Sequence, residues 1–430
     1  MVRIVNLENQ RKEASIRRNV AGATIGGALE WYDVLIYAYV APEIGRAFFP
    51  TEDPMVSTAI ALGGFGVSYL ARPLGGIILG RYADRAGRKA ALVLVSMLMF
   101  VATAIITFLP GYAAIGVLAP ILLLAAKLMQ GFSAGGEFGS AVAYLAEQHP
   151  DRRGFYTSWQ FASQGVAIML AAGVTALVSY CLTSDQMDSW GWRVPFALGL
   201  LIGPVAFYLR SHATETPEFV EASRAHQTPK VLWGPIAVGT GMVSLATASI
   251  YSLIYLPTLG TSALGLSKAA AQVCSILSGA ILFIATPAFG WMSDRTGHFR
   301  FATIAAAVAV VTAIPLFGLL DLSLGLTGFA ITQAGLALVT AAYLASLSPC
   351  LAEIFPVSSR TFGISLSYNI AVLAIGGFAP LGLAMLTSIS THHYILGTYV
   401  ALAATIAVIG LLVRARQPGL RLGETRNNDG

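Results

Sequence analysis

Long apolar stretches alternate with short polar gaps along almost the whole chain. Each stretch approaches or exceeds the ~20 residues that a helix needs to cross a bilayer. Twelve are read, at roughly 19–45, 55–79, 90–110, 114–146, 155–182, 190–210, 231–258, 268–292, 301–321, 327–352, 361–388 and 393–414. Several are longer than a perpendicular span requires, which predicts tilt or helical extensions beyond the lipid. The predicted fold is an all-α membrane protein, with twelve transmembrane helices in two pseudo-symmetric six-helix bundles. Its expected plan is a tail (1–18), a first bundle (19–210), a linker (211–230), a second bundle (231–414) and a second tail (415–430). An even number of spans returns both termini to one side.

A repeated phrase supports the division into halves. Gly80-Arg-Tyr-Ala-Asp84-Arg85-Ala-Gly87-Arg88-Lys89 is followed 210 positions later by Gly290-Trp-Met-Ser-Asp294-Arg295-Thr-Gly297-His298. Each copy falls in a polar gap between two apolar runs. Internal duplication of an apolar chain is a signature of transporters. The glycines permit tight turns and close helix approach. Asp84 and Asp294 sit near helix ends, where they can accept backbone or arginine hydrogen bonds. Gly80, Asp84, Arg85, Gly87, Arg88, Asp294 and Arg295 are therefore read as a gating latch rather than a binding site.

Composition narrows the class. Of 430 residues, 56% are hydrophobic and only 11% charged, against about a quarter charged in a soluble domain. The net charge of +5 does not imply nucleic acid. Placing the gaps alternately on two sides puts nearly every basic residue from Arg3 to Arg426, Arg210 included, on one side. Only Arg46 and Lys268 fall in gaps of the other. This bias predicts an inner-membrane protein with both termini cytoplasmic. Cys181, Cys274 and Cys350 show neither CxxC nor metal-ligand spacing, so no metal or cofactor is expected. Nucleophile elbows, zinc-protease, Walker and kinase signatures are absent, which argues against an enzyme. The expected partner at this point is the lipid bilayer, with the chain acting as a monomer.

Ionisable side chains deep in a span are costly and mark function. The candidates are Glu30 and Asp33 in the first span, Arg72 in the second, Lys127 and Glu137 in the fourth, and Arg193 near the outer end of the sixth. Glu30 lies about 18 Å beyond Arg18 at ~1.5 Å per residue, near the bilayer centre. Asp33 shares its helix face. Two acids so close cannot both ionise cheaply in a low dielectric, so Glu30, Asp33 or Glu137 is a candidate proton carrier; a fixed ion pair with Lys127 or Arg72 is the alternative. Lys127 begins a face continued by Gly131, Gly135 and Gly139, a small-residue stripe that lets helices approach. Gln160, Gln164, Tyr368 and Asn369 are polar positions within spans, as expected around a substrate cavity.

These phrases resemble the major facilitator superfamily, the repeated phrase matching its loops between helices two and three and, more weakly, eight and nine. A second set resembles its metabolite:proton symporter branch: Glu30-Trp-Tyr-Asp33 with Phe48-Phe-Pro50, Arg72-Pro-Leu-Gly-Gly76, Gln130-Gly-Phe-Ser-Ala-Gly-Gly-Glu137, Trp192-Arg-Val-Pro-Phe196, Glu353-Ile-Phe-Pro356, Arg360-Thr-Phe-Gly363, and Tyr368-Asn369 with Gly376-Gly377. The resemblance runs from about residue 19 to 414. It implies uptake of an organic acid, a di- or tricarboxylate such as citrate, with protons by alternating access. Arg72, Lys127 and Arg193 would then attract the anion, and Gln160, Gln164, Tyr368 and Asn369 would line the site. Uptake of a zwitterion such as betaine or proline is the alternative, and a non-transporting sensor the next. Lys127 stands where this branch usually has arginine, and His298-Phe299 where the first loop copy has Arg88-Lys89. The glycine-proline signature of antiporters in helix five is absent, which favours symport.

Overall fold

The computed structural model describes residues 2–224, 232–322, 324–377, 379–390 and 392–416. Their regular structure is helical. Among the described residues, ten helices are long and apolar enough to cross a membrane. They are α2 (Pro54–Ala86), α3 (Arg88–Phe108), α4 (Leu118–Ala146), α5 (Arg153–Cys181), α6 (Arg193–Ser211), α7 (Trp233–Ser262), α8 (Lys268–Thr296), α9 (His298–Gly318), α10 (Gly325–Ile354) and α12 (Tyr394–Ala415). Two further elements complete the series of predicted spans. Helix α1 (Val2–Tyr39) has a charged first half and carries Glu30 and Asp33. Helix α11 is interrupted: α11a (Arg360–Ala371) passes through a π-helical turn (Val372–Gly376) before α11b (Ala379–Ile389).

Several boundaries differ from the sequence reading. The predicted tail 1–18 is helical from Val2 and continuous with α1. The gap expected around residues 80–89 shrinks to one residue, Gly87, whose φ of 108° lets α2 end and α3 begin without an intervening loop. Gly297, at φ 90°, does the same between α8 and α9. Left-handed backbone of this kind costs glycine little and other residues more. The predicted linker contains a short helix, Pro217–Arg224. Its residues 225–230 lie outside the described residues, as do residue 231 of the predicted second bundle and residues 417–430 of the predicted second tail.

Within the first half, α4 packs on α2 and α3, and α1 packs on α5 and α6; in the second half, α12 packs on α7 and α9, and α10 on α8 and α9. The halves meet along two seams, α5 against α8 and α10, and α2 and α4 against α11a. Glycine makes the first seam possible. A Cβ on Gly154 would stand 2.6 Å from the Gly290 carbonyl oxygen, and one on Gly290 would stand 2.6 Å from that of Gly154. The predicted stripe serves the same purpose inside the first half, since a Cβ on Gly131 or Gly135 would overlap the carbonyl oxygen of Ser68 or Arg72. Helices α7 and α10 are largely buried, whereas α6 and α9 turn apolar side chains such as Leu201, Ile304 and Val311 outward. That outward apolar surface suits lipid contact.

Candidate functional site

The middle of the molecule holds the predicted ionisable residues, sorted into distinct environments. Arg72 is buried on α2, with its guanidinium carbon 4.3 Å from the centre of the Tyr69 ring. Tyr368 of α11a lies beside it. Among the described residues no carboxylate lies within ion-pair distance of Arg72, and its buried Nε has no acceptor. Tyr368 stacks on Phe138 with ring centres 3.7 Å apart. Beside it, the Asn369 amide donates to the carbonyls of Gly135 and Ser365, each at 2.7 Å, while its Oδ1 is buried without a donor. Gln160 and Gln164 are buried on α5, and Oε1 of Gln160 and both polar atoms of Gln164 lack partners. Just beyond Arg72, Tyr251 of α7 donates its hydroxyl to that of Tyr69 at 2.5 Å, joining the two halves.

Lys127 belongs to a separate chain of contacts. Its Nζ donates to Gln130 Oε1 at 2.9 Å and stands 4.3 Å from the centre of the Tyr37 ring. Gln130 Nε2 donates to Thr103 Oγ1 at 3.0 Å, and Thr103 donates to Asp33. Lysine and aspartate are thus linked through an amide and a hydroxyl. The sequence reading singled out neither Thr103 nor, as a ligand of Lys127, Gln130. The i,i+3 step from Lys127 to Gln130 was the available signal.

Two of the predicted residues stand apart from this cluster. Glu137 is paired: both its oxygens accept from Arg210 of α6. Its neighbours Ser133 and Ser140 bond instead to the carbonyls of Val95 and Gly136. Arg210, assigned by charge bias to a polar gap, is buried because it lies within the last turn of α6 and folds inward. Arg193 does not join the cluster. Half-buried at the start of α6, it donates to the carbonyls of Ser189 and Leu109 at 3.1 and 2.9 Å and stacks on Trp192. It fastens α6 to the end of α3.

The two loop acids occupy matching positions at the end of the bundle near α1's start and α12's finish. Asp84 accepts from the backbone N–H groups of Thr361 and Phe362 at 3.2 and 2.9 Å, in the first turn of α11a. Asp294 accepts from those of Gly154 and Phe155 at 2.6 and 3.0 Å, in the first turn of α5. Each carboxylate thereby satisfies orphan donors and meets the positive end of a helix belonging to the other half. Gly80 allows the approach, since a Cβ there would lie 3.0 Å from Phe362 Cα. Arg88, fully buried, pairs with Asp84 at 3.4 Å and Glu147 at 3.3 Å and donates to the Val357 carbonyl at 2.6 Å. Arg360 bridges Glu147 and Glu218, both at 2.8 Å, and Arg153 reaches Glu218 at 2.8 Å. Burial alone would raise the Glu218 carboxyl, but Arg360 and Arg153 hold it below its ordinary value. In the second copy His298 takes the place of Arg88, with Nε2 at 3.7 Å from Asp294 and 3.5 Å from Glu353. Arg85 and Arg295 stand outside this network: both are exposed, and Arg295 stacks on Trp291.

Two six-helix halves clasped at one end around buried charges define a membrane carrier of the major facilitator fold. The profile of the family described as "Sugar (and other) transporter" matches residues 20–233 and 226–416, and the chain belongs to that family. It is 34% identical to the citrate-proton symporter of Salmonella typhi over 86% of its own length and 88% of that protein's. It is also 34% identical to the glycine betaine/proline/ectoine/pipecolic acid transporter OusA of Dickeya dadantii (strain 3937), over 96% of this chain and 85% of that one. Among solved structures, the proton:xylose symporter XylE superposes with a TM-score of 0.74 at 16% identity, covering 94% of this chain and 96% of that one. This likeness shows the shared fold.

Proposed function

We propose that this chain is a secondary transporter that imports a small organic acid with protons by alternating access. The observation that carries the reading is Arg72. A buried guanidinium without a carboxylate partner is expensive unless a charged ligand completes it. Here it sits between two contacts joining the halves, the Tyr69–Tyr251 bridge on one side and the Asp84 cap on the other. A substrate carboxylate would supply the missing partner, in the two-pronged geometry that arginine favours. Tyr368, Asn369, Gln160 and Gln164 would orient the rest of the substrate. Lys127 lies within electrostatic reach of Arg72, so a second anionic group is favoured over the ammonium of a zwitterion. The citrate-proton symporter relative supports the same substrate class, a di- or tricarboxylate.

Proton coupling would fall to Glu30 or Asp33. Alternation would require the Asp84 and Asp294 caps to release, with Gly80, Gly87 and Arg88 forming the hinge and lock of the first copy. The basic end would face the cytoplasm, with the chain in a bacterial inner membrane. The deciding experiment is uptake of labelled citrate into proteoliposomes under an imposed inward proton gradient. Tricarballylate, 2-oxoglutarate, shikimate and betaine serve as unlabelled competitors. Gradient-driven accumulation that a protonophore cancels is expected. Uptake inhibited by betaine alone would overturn the carboxylate reading in favour of a zwitterion carrier.

A further inference from the structure

Inside the first half, on the clasped side of Arg72, Glu30, Ser96, Glu137 and Arg210 line one small cavity, with Gly26 and Gly203 making room. Its volume of roughly 20 Å³ suits about one water molecule. The guanidinium serves the two acids unequally. Arg210 grips both oxygens of Glu137 and also donates to Ser96 Oγ at 2.6 Å and to the Leu92 carbonyl at 3.3 Å. Glu30 has no hydrogen bond or ion pair among the described residues, although Glu137 and Arg210 both lie within electrostatic reach of it. The buried Nε of Arg210 has no acceptor. Gly26 sits against the guanidinium so closely that a Cβ there would overlap it, which holds the arginine over Glu137.

Two carboxylates that share one cation in a low dielectric do not titrate alike. A bidentate ion pair of this kind carries no net charge. We infer that Arg210 is a positioning residue for proton carriage: by neutralising Glu137 it leaves Glu30 as the acid of this cavity that gains and loses the proton. The inference rests on the proton-coupled reading above. The other titratable or charged groups around Glu30 are Asp33 on its own helix, Arg72 and Tyr69 on α2, and Tyr368 on α11a. Helix α5 brings Gln160 and Ser163 near Gly27, neither of them ionisable.

The test does not require transport. Infrared titration of purified protein follows the carboxylic C=O band that disappears in Glu30→Gln. Arg210→Gln leaves Glu137 unopposed and is expected to move the midpoint of that band to higher pH, by about one unit or more. Glu137→Gln leaves Arg210 unopposed and moves it to lower pH by a similar amount. The double variant Glu137→Gln/Arg210→Gln removes a neutral pair and returns the midpoint to within about half a unit of the wild type. Arg210→Lys keeps the charge, guards against misfolding, and should keep the midpoint near wild type. A single-site shift of the wrong sign, an unmoved midpoint in folded variants, a double variant that does not restore, or no Glu30 band at all would overturn the proposal. Proteoliposome uptake by the wild type is the separate arm. Its failure would sink the transport reading while the titration still decides the role of Arg210.

Discussion

Arg72 and Arg210 are both buried guanidinium groups in the first half, yet among the described residues Arg210 is paired with a carboxylate and Arg72 is not. This difference is the ground for proposing a ligand at Arg72, whereas Arg210 meets the protein's own acid. Arg72→Ala is expected to weaken carboxylate binding at least about 30-fold, the low end for losing one partner of a buried charge pair. Substrate-dependent thermal stabilisation of the purified protein measures it, and an unchanged response would remove Arg72 from the binding site. Thr103 offers a quieter case, because it accepts from Gln130 and donates to Asp33. Thr103→Val leaves both without that hydroxyl and should cost about 1–3 kcal/mol, seen as a lower melting temperature that Thr103→Ser does not share. Glu30, Asp33, Arg72 and Lys127 were legible in the sequence because a charge amid apolar residues has few innocent explanations. Arg210 was not, since it stands one turn from a polar segment and sequence alone cannot show a side chain folding inward.

At the level of elements, the two copies of the repeated phrase place an aspartate at the start of a helix in the opposite half. Sequence revealed that the phrases were a pair, and their glycines signalled sharp turns. It placed both aspartates near helix ends as acceptors but could not reveal which helix each caps, because Asp84 and Thr361 are 277 residues apart. The π-helical turn of α11 was equally hidden, as apolar residues continue through it. Asp294→Ala should remove the acceptor for Gly154 and Phe155, a loss of about 1 kcal/mol of the kind measured for helix caps, and loosen the α5–α8 seam. Gly290→Val should part the same seam more severely, because its Cβ meets backbone rather than a movable side chain. Either change should speed alkylation of a cysteine placed at the buried Ser293 position; equal rates in variant and parent would show that the seam does not depend on these contacts.

Across the whole molecule, Asp84, Arg88, Glu147, Arg360, Glu218 and Arg153 link both halves and the short helix after α6 in one charged network. Glu218 gives it one source of acid sensitivity. A carboxyl held below its ordinary value of 4.5 adds stability that is present above that value and is lost as pH falls through the depressed one. The clasped end should therefore open more readily in acid below the usual carboxylate range, read as faster labelling of the same cysteine, and Glu218→Gln should flatten that dependence. The network also bears on how the chain is made. Asp84 and Arg88 are synthesised long before Val357, Arg360 and Thr361, their partners in the other half. At ~5–20 residues per second, translating the intervening chain takes on the order of tens of seconds. For that time the first six helices stand in the membrane with these contacts unmade, so a nascent chain cut short before α11 never acquires the Asp84, Arg88 and Arg360 side of the clasp.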